Sequence, residues 1–138
     1  MKRFAMQELI DWKNKPNRFP MILKGARQVG KTWLMKEFGK THFTQYAYIN
    51  FDRNQRMEKL FSGDFTVDRI IKGLSIESEV QIEPENTLII LDEIQEVPAA
   101  LQSLKYFAED SQHSYYIIAA GSLLGIALHS GTSFPVGK

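Results

Sequence analysis

The chain has 138 residues, 43% of them hydrophobic, which is enough for one compact domain with a buried core and too few for two domains of ordinary size. It has no cysteine and no apolar run of membrane-spanning length, which excludes disulfides, thiolate metal sites and cysteine nucleophiles and favours a reducing cytoplasm. The net charge of +1 conceals a basic half, because residues 1–59 carry 13 Lys and Arg against 5 Asp and Glu, whereas residues 60–138 carry 4 against 11.

The first predicted elements are a helix and a strand that lead into a glycine-containing segment. An amphipathic pattern predicts a helix over about residues 3–14, with Leu9, Ile10 and Trp12 on its apolar side. Prolines at positions 16 and 20 mark the connection, and a short β-like run follows at residues 21–24. We therefore expect the next segment to leave the end of a strand.

Residues 25–32 read G-A-R-Q-V-G-K-T, which is a complete G-x-x-x-x-G-K-[ST] phosphate-binding loop. Its glycines let consecutive backbone N–H groups point at phosphate oxygens, and the following helix presents its positive end to the same anion. Lys31 is expected to reach the β and γ phosphates, and the hydroxyl of Thr32 to ligate magnesium. The residues predicted to contact the nucleotide are Gly25, Ala26, Arg27, Gln28, Val29, Gly30, Lys31, Thr32 and Trp33.

The loop helix and the second strand come next. Trp33, Leu34 and Phe38 predict the apolar face of a helix that ends at about Gly39 and Lys40. Residues 46–51, Y-A-Y-I-N-F, predict a strand. Two short helices are predicted after it from apolar residues at helical spacing, namely Met57, Leu60 and Phe61, and then Val67, Ile70, Ile71 and Leu74.

The second half of the chain continues the alternation of strands and helices. Residues 87–91, T-L-I-I-L, have the unbroken apolar character of a strand that is buried on both faces. A helix is predicted over residues 98–110 and a fourth strand over residues 115–120. This order predicts an α/β fold with a parallel sheet, whose ligand binds at the carboxyl ends of the strands.

Asp92 and Glu93 follow the third strand directly and complete the predicted site. Asp92 is expected to hold magnesium through a bound water, and Glu93 to orient a water for attack on the γ-phosphate. A glutamate in this position favours hydrolysis over transfer to a small acceptor. The chain lacks an N-K-x-D guanine-binding motif, so adenine is the expected base.

Two further polar residues near the strand ends have open roles. Ser122 follows the fourth strand, where it is either a catalytic sensor of the γ-phosphate or the cap of the next helix. Gln95 either faces the same pocket or lies in the loop after the two acids. His42, His113 and His129 lack the spacing of metal ligands.

Four motifs together resemble the AAA-like ATP-binding domain of a widespread prokaryotic ATPase family. They are G-A-R-Q-V-G-K-T, Y-I-N-F-D at residues 48–52, L-D-E-I-Q at residues 91–95 and A-G-S-L-L at residues 120–124. The resemblance implies a three-layer P-loop NTPase fold of the additional-strand type, with a central, mostly parallel sheet of four to five strands in the order 5-1-4-3-2. It also implies Mg-ATP binding through Lys31 and Thr32, and hydrolysis assisted by Asp92 and Glu93.

Relatives of this kind usually continue into a fifth strand and a C-terminal partner domain. The resemblance therefore implies that residues 1–138 are one AAA-like domain, expected to be the N-terminal part of a longer protein. A neighbouring copy normally supplies the arginine finger, which leaves a homo-oligomer open. No such arginine is assigned here.

Three functions remain open from the sequence. The first is an ATPase that drives or gates the partner domain, and the second is a nucleotide-gated binding switch with negligible turnover. The third is a DNA-associated ATPase, which rests only on the basic half, with a net charge of +8 in residues 1–59. No cluster of Lys and Arg with interspersed aromatic residues supports it.

Overall fold

Strands and helices alternate along the chain and build one parallel sheet with helices on both faces. A computed structural model describes residues 2–16, 18–23, 29–110 and 114–121. The elements are α1 (Lys2–Lys13), β1 (Met21–Leu23), α2 (Val29–His42), β2 (Gln45–Asn50), α3 (Gln55–Phe61), α4 (Val67–Ser78), β3 (Thr87–Asp92), a 3-10 helix (Ile94–Glu96), α5 (Pro98–Glu109) and β4 (Tyr116–Ala120).

The sheet has four strands in the described residues, in the order β1-β4-β3-β2, and all three pairings are parallel. β4 lies between β1 and β3. It is the additional strand of the fold, and its position agrees with the predicted order 5-1-4-3-2. Parallel pairing brings the carboxyl ends of all four strands to one edge of the sheet. The register sets Asn50 beside Asp92 at that edge.

Each face of the sheet is covered by its own helices because successive strand residues point to opposite sides. Leu88 and Ile90 of β3 pack with the buried residues of α1 and α2, whereas Ile89 and Leu91 pack with those of α3, α4 and α5. All six residues of β3 are buried, as the unbroken apolar run predicts. The three-layer α/β architecture is therefore confirmed.

Two predictions about α2 were wrong. The helix does not end at Gly39 but continues to His42, and Gly39 is buried where Tyr46 of β2 approaches it. A β-carbon on Gly39 would lie 2.7 Å from Cβ of Tyr46, so the glycine serves close packing rather than termination. Trp33 is 46% exposed and does not belong to the apolar face, which consists of Met35, the predicted Phe38 and the partly buried, also predicted Leu34.

The 3-10 helix was not predicted, because three residues give too short a pattern to be recognised. It is separated from β3 by Glu93 alone and lies next to α5 at the carboxyl edge of the sheet. In the part of the chain that the structure describes, no helix has the length and apolar character needed to cross a membrane.

Candidate functional site

The first turn of α2 and the end of β3 meet at the carboxyl edge of the sheet. The hydroxyl of Thr32 donates a hydrogen bond of 2.6 Å to Oδ2 of Asp92, across 60 positions of sequence. Asp92 is only 5% exposed. The two residues predicted as magnesium ligands are therefore side by side.

The carboxylate of Asp92 is held by three donors from different elements. Oδ2 accepts a second hydrogen bond, of 2.7 Å, from the hydroxyl of Tyr48 on β2. Oδ1 accepts one of 3.0 Å from the backbone N–H of Glu93. Three donors from different elements fix the plane of the carboxylate.

Tyr48 was not recognised as a site residue from the sequence. Burial raises the pKa of Tyr48 far above its ordinary value, and the hydrogen bond to Asp92 adds to this shift, so the hydroxyl keeps its proton and acts as a donor. The ammonium of Lys36 lies 4.1 Å from the centre of the Tyr48 ring, which is a favourable cation–π distance. The ring is thus held between β2 and α2.

Glu93 leaves the strand rather than continuing it. Its φ and ψ angles of 54° and 45° lie in the left-handed region, which non-glycine residues adopt infrequently. A left-handed turn, and not strand alternation, therefore sets the direction of Glu93. Such backbone geometry is costly and is concentrated at functional sites.

Gln95 belongs to the site rather than to an exposed loop. It is 8% exposed, and its Nε2 donates a hydrogen bond of 2.9 Å to Oε1 of Glu93 and a longer one, of 3.4 Å, to Oε2 of Glu96. The 3-10 helix brings Gln95 back towards Glu93, only two positions away. The sequence left open whether Gln95 faces the pocket or lies in the loop. In the structure it lies beside Glu93 and Glu96.

Lys31 extends from α2 to the end of β4. Its Nζ donates a hydrogen bond of 2.9 Å to the carbonyl oxygen of Gly121, which immediately follows the last residue of β4. The N–H of Gly121 in turn donates to the carbonyl of Leu23 at the end of β1. The ammonium group therefore lies at the strand ends, as the phosphate loop predicts.

The remaining predicted residues divide into two groups. Val29 and Gly30 form the first turn of α2, where backbone N–H groups have no partner within the helix. Gly25, Ala26, Arg27, Gln28 and Ser122 lie outside the described residues.

The chemistry of the donors suits a magnesium ion that arrives with a nucleotide. Such an ion binds one or two protein oxygens and completes its shell with water and phosphate oxygens. Thr32 and Asp92 supply a hydroxyl and a carboxylate at hydrogen-bond distance from one another. Within the described ranges, no three His, Cys, Asp or Glu residues cluster as a metal site of their own.

Comparisons with known proteins agree with this architecture. A protein-family model described as an AAA domain matches residues 17–138. Among solved structures, the chain is similar to PCH-2 of C. elegans, with a TM-score of 0.50 and 16% sequence identity, and at this identity the likeness concerns the fold. The match covers 99% of this chain and 41% of that one, so the present chain spans about two fifths of the length of PCH-2. A search of curated proteins gave no match.

Proposed function

This chain belongs to the AAA domain family, and from that membership we propose that it binds Mg-ATP at the carboxyl edge of its sheet and hydrolyses it. As an AAA domain it is a nucleotide-binding ATPase domain. The proposal of Mg-ATP binding and hydrolysis rests on the hydrogen bond of 2.6 Å between Thr32 and Asp92. It joins the end of the phosphate-binding motif to the acidic end of β3, as a shared metal site requires.

Phosphate binding falls to the amino end of α2. The backbone N–H groups of its first turn have no partner within the helix and favour an anion at this position. Lys31 adds a positive charge, and we propose that it exchanges the carbonyl of Gly121 for β- and γ-phosphate oxygens. A phosphate oxygen is the stronger partner, because both groups of that pair are charged.

Magnesium would be held by the hydroxyl of Thr32 and, through a water, by the carboxylate of Asp92. The ion would neutralise charge on the β- and γ-phosphates during transfer. Glu93 would orient the attacking water, and its left-handed backbone supports a position that is set for chemistry rather than for strand geometry. Gln95 would align the Glu93 carboxylate through the bond between Nε2 and Oε1.

The direct test is phosphate release from Mg-ATP by the full-length protein. Lys31→Ala should abolish release by removing nucleotide binding, whereas Glu93→Gln should keep binding and slow hydrolysis by about a hundredfold or more. Lys40→Ala is the matched control, because Lys40 is an exposed lysine on the same helix. Equal turnover by the wild type and Lys31→Ala would refute the enzymatic proposal.

A nucleotide-gated switch with negligible turnover is the second candidate. It is favoured by the hydrogen bond that the buried Gln95 amide donates to Glu93, because this bond holds the proposed base in place. A switch would be stabilised by Mg-ATP without producing phosphate, since a ligand that binds only the folded state raises its stability. Gating of a C-terminal partner domain, contacts between copies and DNA association stay predictions.

A further inference from the structure

We propose that Tyr48 is a positioning residue that orients Asp92 towards magnesium, a role that rests on the proposed function. Tyr48 lies on β2, two residues before the strand end, and its hydroxyl is 2.7 Å from Oδ2 of Asp92. It enters the site from a different strand than the phosphate loop and the acidic pair. Neither the phosphate-loop pattern nor the pair of acids includes it.

The carboxylate of Asp92 has a limited number of acceptor positions, and three of them are already used. An ionised aspartate offers about four lone-pair positions on its two oxygens. Thr32 and Tyr48 occupy two on Oδ2, and the N–H of Glu93 occupies one on Oδ1. With these three donors in place, the carboxylate plane is fixed, and the remaining capacity of Oδ1 has a defined direction for a metal-bound water.

Tyr48 restrains the last side-chain torsion of Asp92, which has a low barrier to rotation. The last side-chain torsion of aspartate has broad minima, so the carboxylate rotates easily unless both oxygens are held. The donor on Oδ1 is a backbone group of the next residue and moves with the Asp92 main chain. Thr32 is itself a proposed metal ligand, so Tyr48 is the donor that stays free of the metal and holds Oδ2 throughout.

Tyr48 is itself held on two sides. Its strand position is fixed by pairing with β3, opposite Ile90. On the other side, Lys36 lies one helical turn after Thr32 on α2 and places its ammonium 4.1 Å from the ring centre. The phenol therefore links β2, α2 and β3, and its hydroxyl has little freedom to leave Asp92.

The experiment compares Tyr48→Phe with Tyr46→Phe in the full-length chain. Tyr46 is the matched control, because it lies on the same strand and the same face, two residues earlier. Binding of a non-hydrolysable ATP analogue is measured by calorimetry over a magnesium series and in EDTA. We expect Tyr48→Phe to raise the magnesium concentration needed for half-maximal binding by about 10- to 100-fold. Binding in EDTA and the control variant should match the wild type.

A double-mutant cycle with Asp92→Asn separates positioning from a general loss of structure. If Tyr48 acts through the Asp92 carboxylate, removing its hydroxyl should have much less effect on magnesium dependence in the Asp92→Asn background. Equal effects in both backgrounds would overturn the proposal. An equal loss of analogue binding in EDTA and in magnesium would overturn it as well, because that pattern means structural damage.

Failure of the proposed Mg-ATP site and failure of the proposed role of Tyr48 give different results in these experiments. A wild-type protein that fails to bind the analogue, or binds it without any dependence on magnesium, would remove the Mg-ATP site itself. A wild-type protein with magnesium-dependent binding and a Tyr48→Phe variant with the same dependence would remove only the role of Tyr48.

Discussion

The side-chain amide of Gln95 lies 2.9 Å from the carboxylate of Glu93 and donates to its Oε1. The amide oxygen of Gln95 is buried and has no hydrogen-bond partner within the described part of the chain. A buried polar atom without a partner costs free energy, of order 1–3 kcal/mol. The presence of Gln95 is therefore better explained by the hydrogen bond that it donates to Glu93 than by a contribution to stability.

Gln95→Met should lower kcat and leave the fold intact. Methionine has a similar length, fills the buried space and removes the unsatisfied oxygen, so the free energy of unfolding should change by no more than about 1 kcal/mol. Loss of the bond to Glu93 should lower kcat by about tenfold with little change in KM, because nucleotide binding does not use this amide.

The check is steady-state phosphate release together with urea unfolding of the same variant. A rise in kcat would contradict the alignment role and would mean that Gln95 holds Glu93 away from the reacting water. That result would favour the switch over the constitutive ATPase.

The Thr32 hydroxyl should control the response to magnesium. Thr32→Val keeps the shape of the side chain and removes the oxygen that the ion would bind, whereas Thr32→Ser keeps the oxygen. At a Mg-ATP concentration 100 times the dissociation constant, the wild type should gain about 2.7 kcal/mol of stability. We expect most of this gain in Thr32→Ser and little of it in Thr32→Val.

Thermal unfolding with and without Mg-ATP measures this difference, and the same scan with ATP in EDTA is the control. An equal gain for Thr32→Val and the wild type would place the metal elsewhere.

The sheet and the pairing of Thr32 with Asp92 follow from the sequence because both depend on strong, regular patterns. Apolar runs that alternate with helices require a parallel sheet, and a parallel sheet brings the ends of its strands together. The phosphate-binding motif and the two acids each come at the end of such a run. Their proximity then needs no knowledge of side-chain detail, and the structure confirms it with the hydrogen bond of 2.6 Å.

Tyr48 could not be found in the same way. Tyr48 opens the Y-I-N-F-D motif of the family resemblance, but in the strand pattern Y-A-Y-I-N-F its aromatic ring looks like any other strand residue, and the motif assigns it no role. Its role depends on the register that sets Asn50 beside Asp92, and a shift by one residue would turn its hydroxyl to the opposite face. The left-handed turn at Glu93 could not be predicted either, because it involves a single residue and leaves no periodic pattern in the sequence.

Two helical glycines should respond differently to alanine. At Gly39 a β-carbon would lie 2.7 Å from Cβ of Tyr46, an atom bonded directly to the backbone of β2. At Gly73 it would lie 2.5 Å from Cδ1 of Leu60, at the end of a partly exposed side chain that can rotate. Gly39→Ala should therefore destabilise the protein by about 1–3 kcal/mol despite the higher helix propensity of alanine.

Gly73→Ala is the comparison, since it adds the same methyl group to another helix interior. Its gain in helix propensity, up to about 1 kcal/mol, should offset much of the cost of moving Leu60. Urea unfolding of both variants tests the contrast. A Gly39→Ala variant as stable as the wild type would show that α2 and β2 can move apart without cost.

The ion pair between Arg56 and Glu77 should make stability depend on pH in the acid range. Arg56 donates from Nε and from a terminal nitrogen to the two Glu77 oxygens, at 2.7 and 2.8 Å, and Asn54 donates to one of them. The bond from Arg56 is the main cause that lowers the pKa of Glu77 below its ordinary value of 4.5. Because the folded-state pKa is depressed, the stabilisation is present above pH 4.5 and is lost as the pH falls through the folded value.

Glu77→Gln should therefore be less stable than the wild type at pH 7 and should approach it as the pH falls through the depressed pKa of Glu77. The Arg56 side chain is 75% exposed, so solvent screening keeps the difference at pH 7 small. Urea midpoints from pH 3 to pH 7 measure it, with Glu58→Gln, an exposed glutamate on the helix of Arg56, as the control. A difference that stays constant over this range would mean that Glu77 contributes packing and hydrogen bonding rather than its charge.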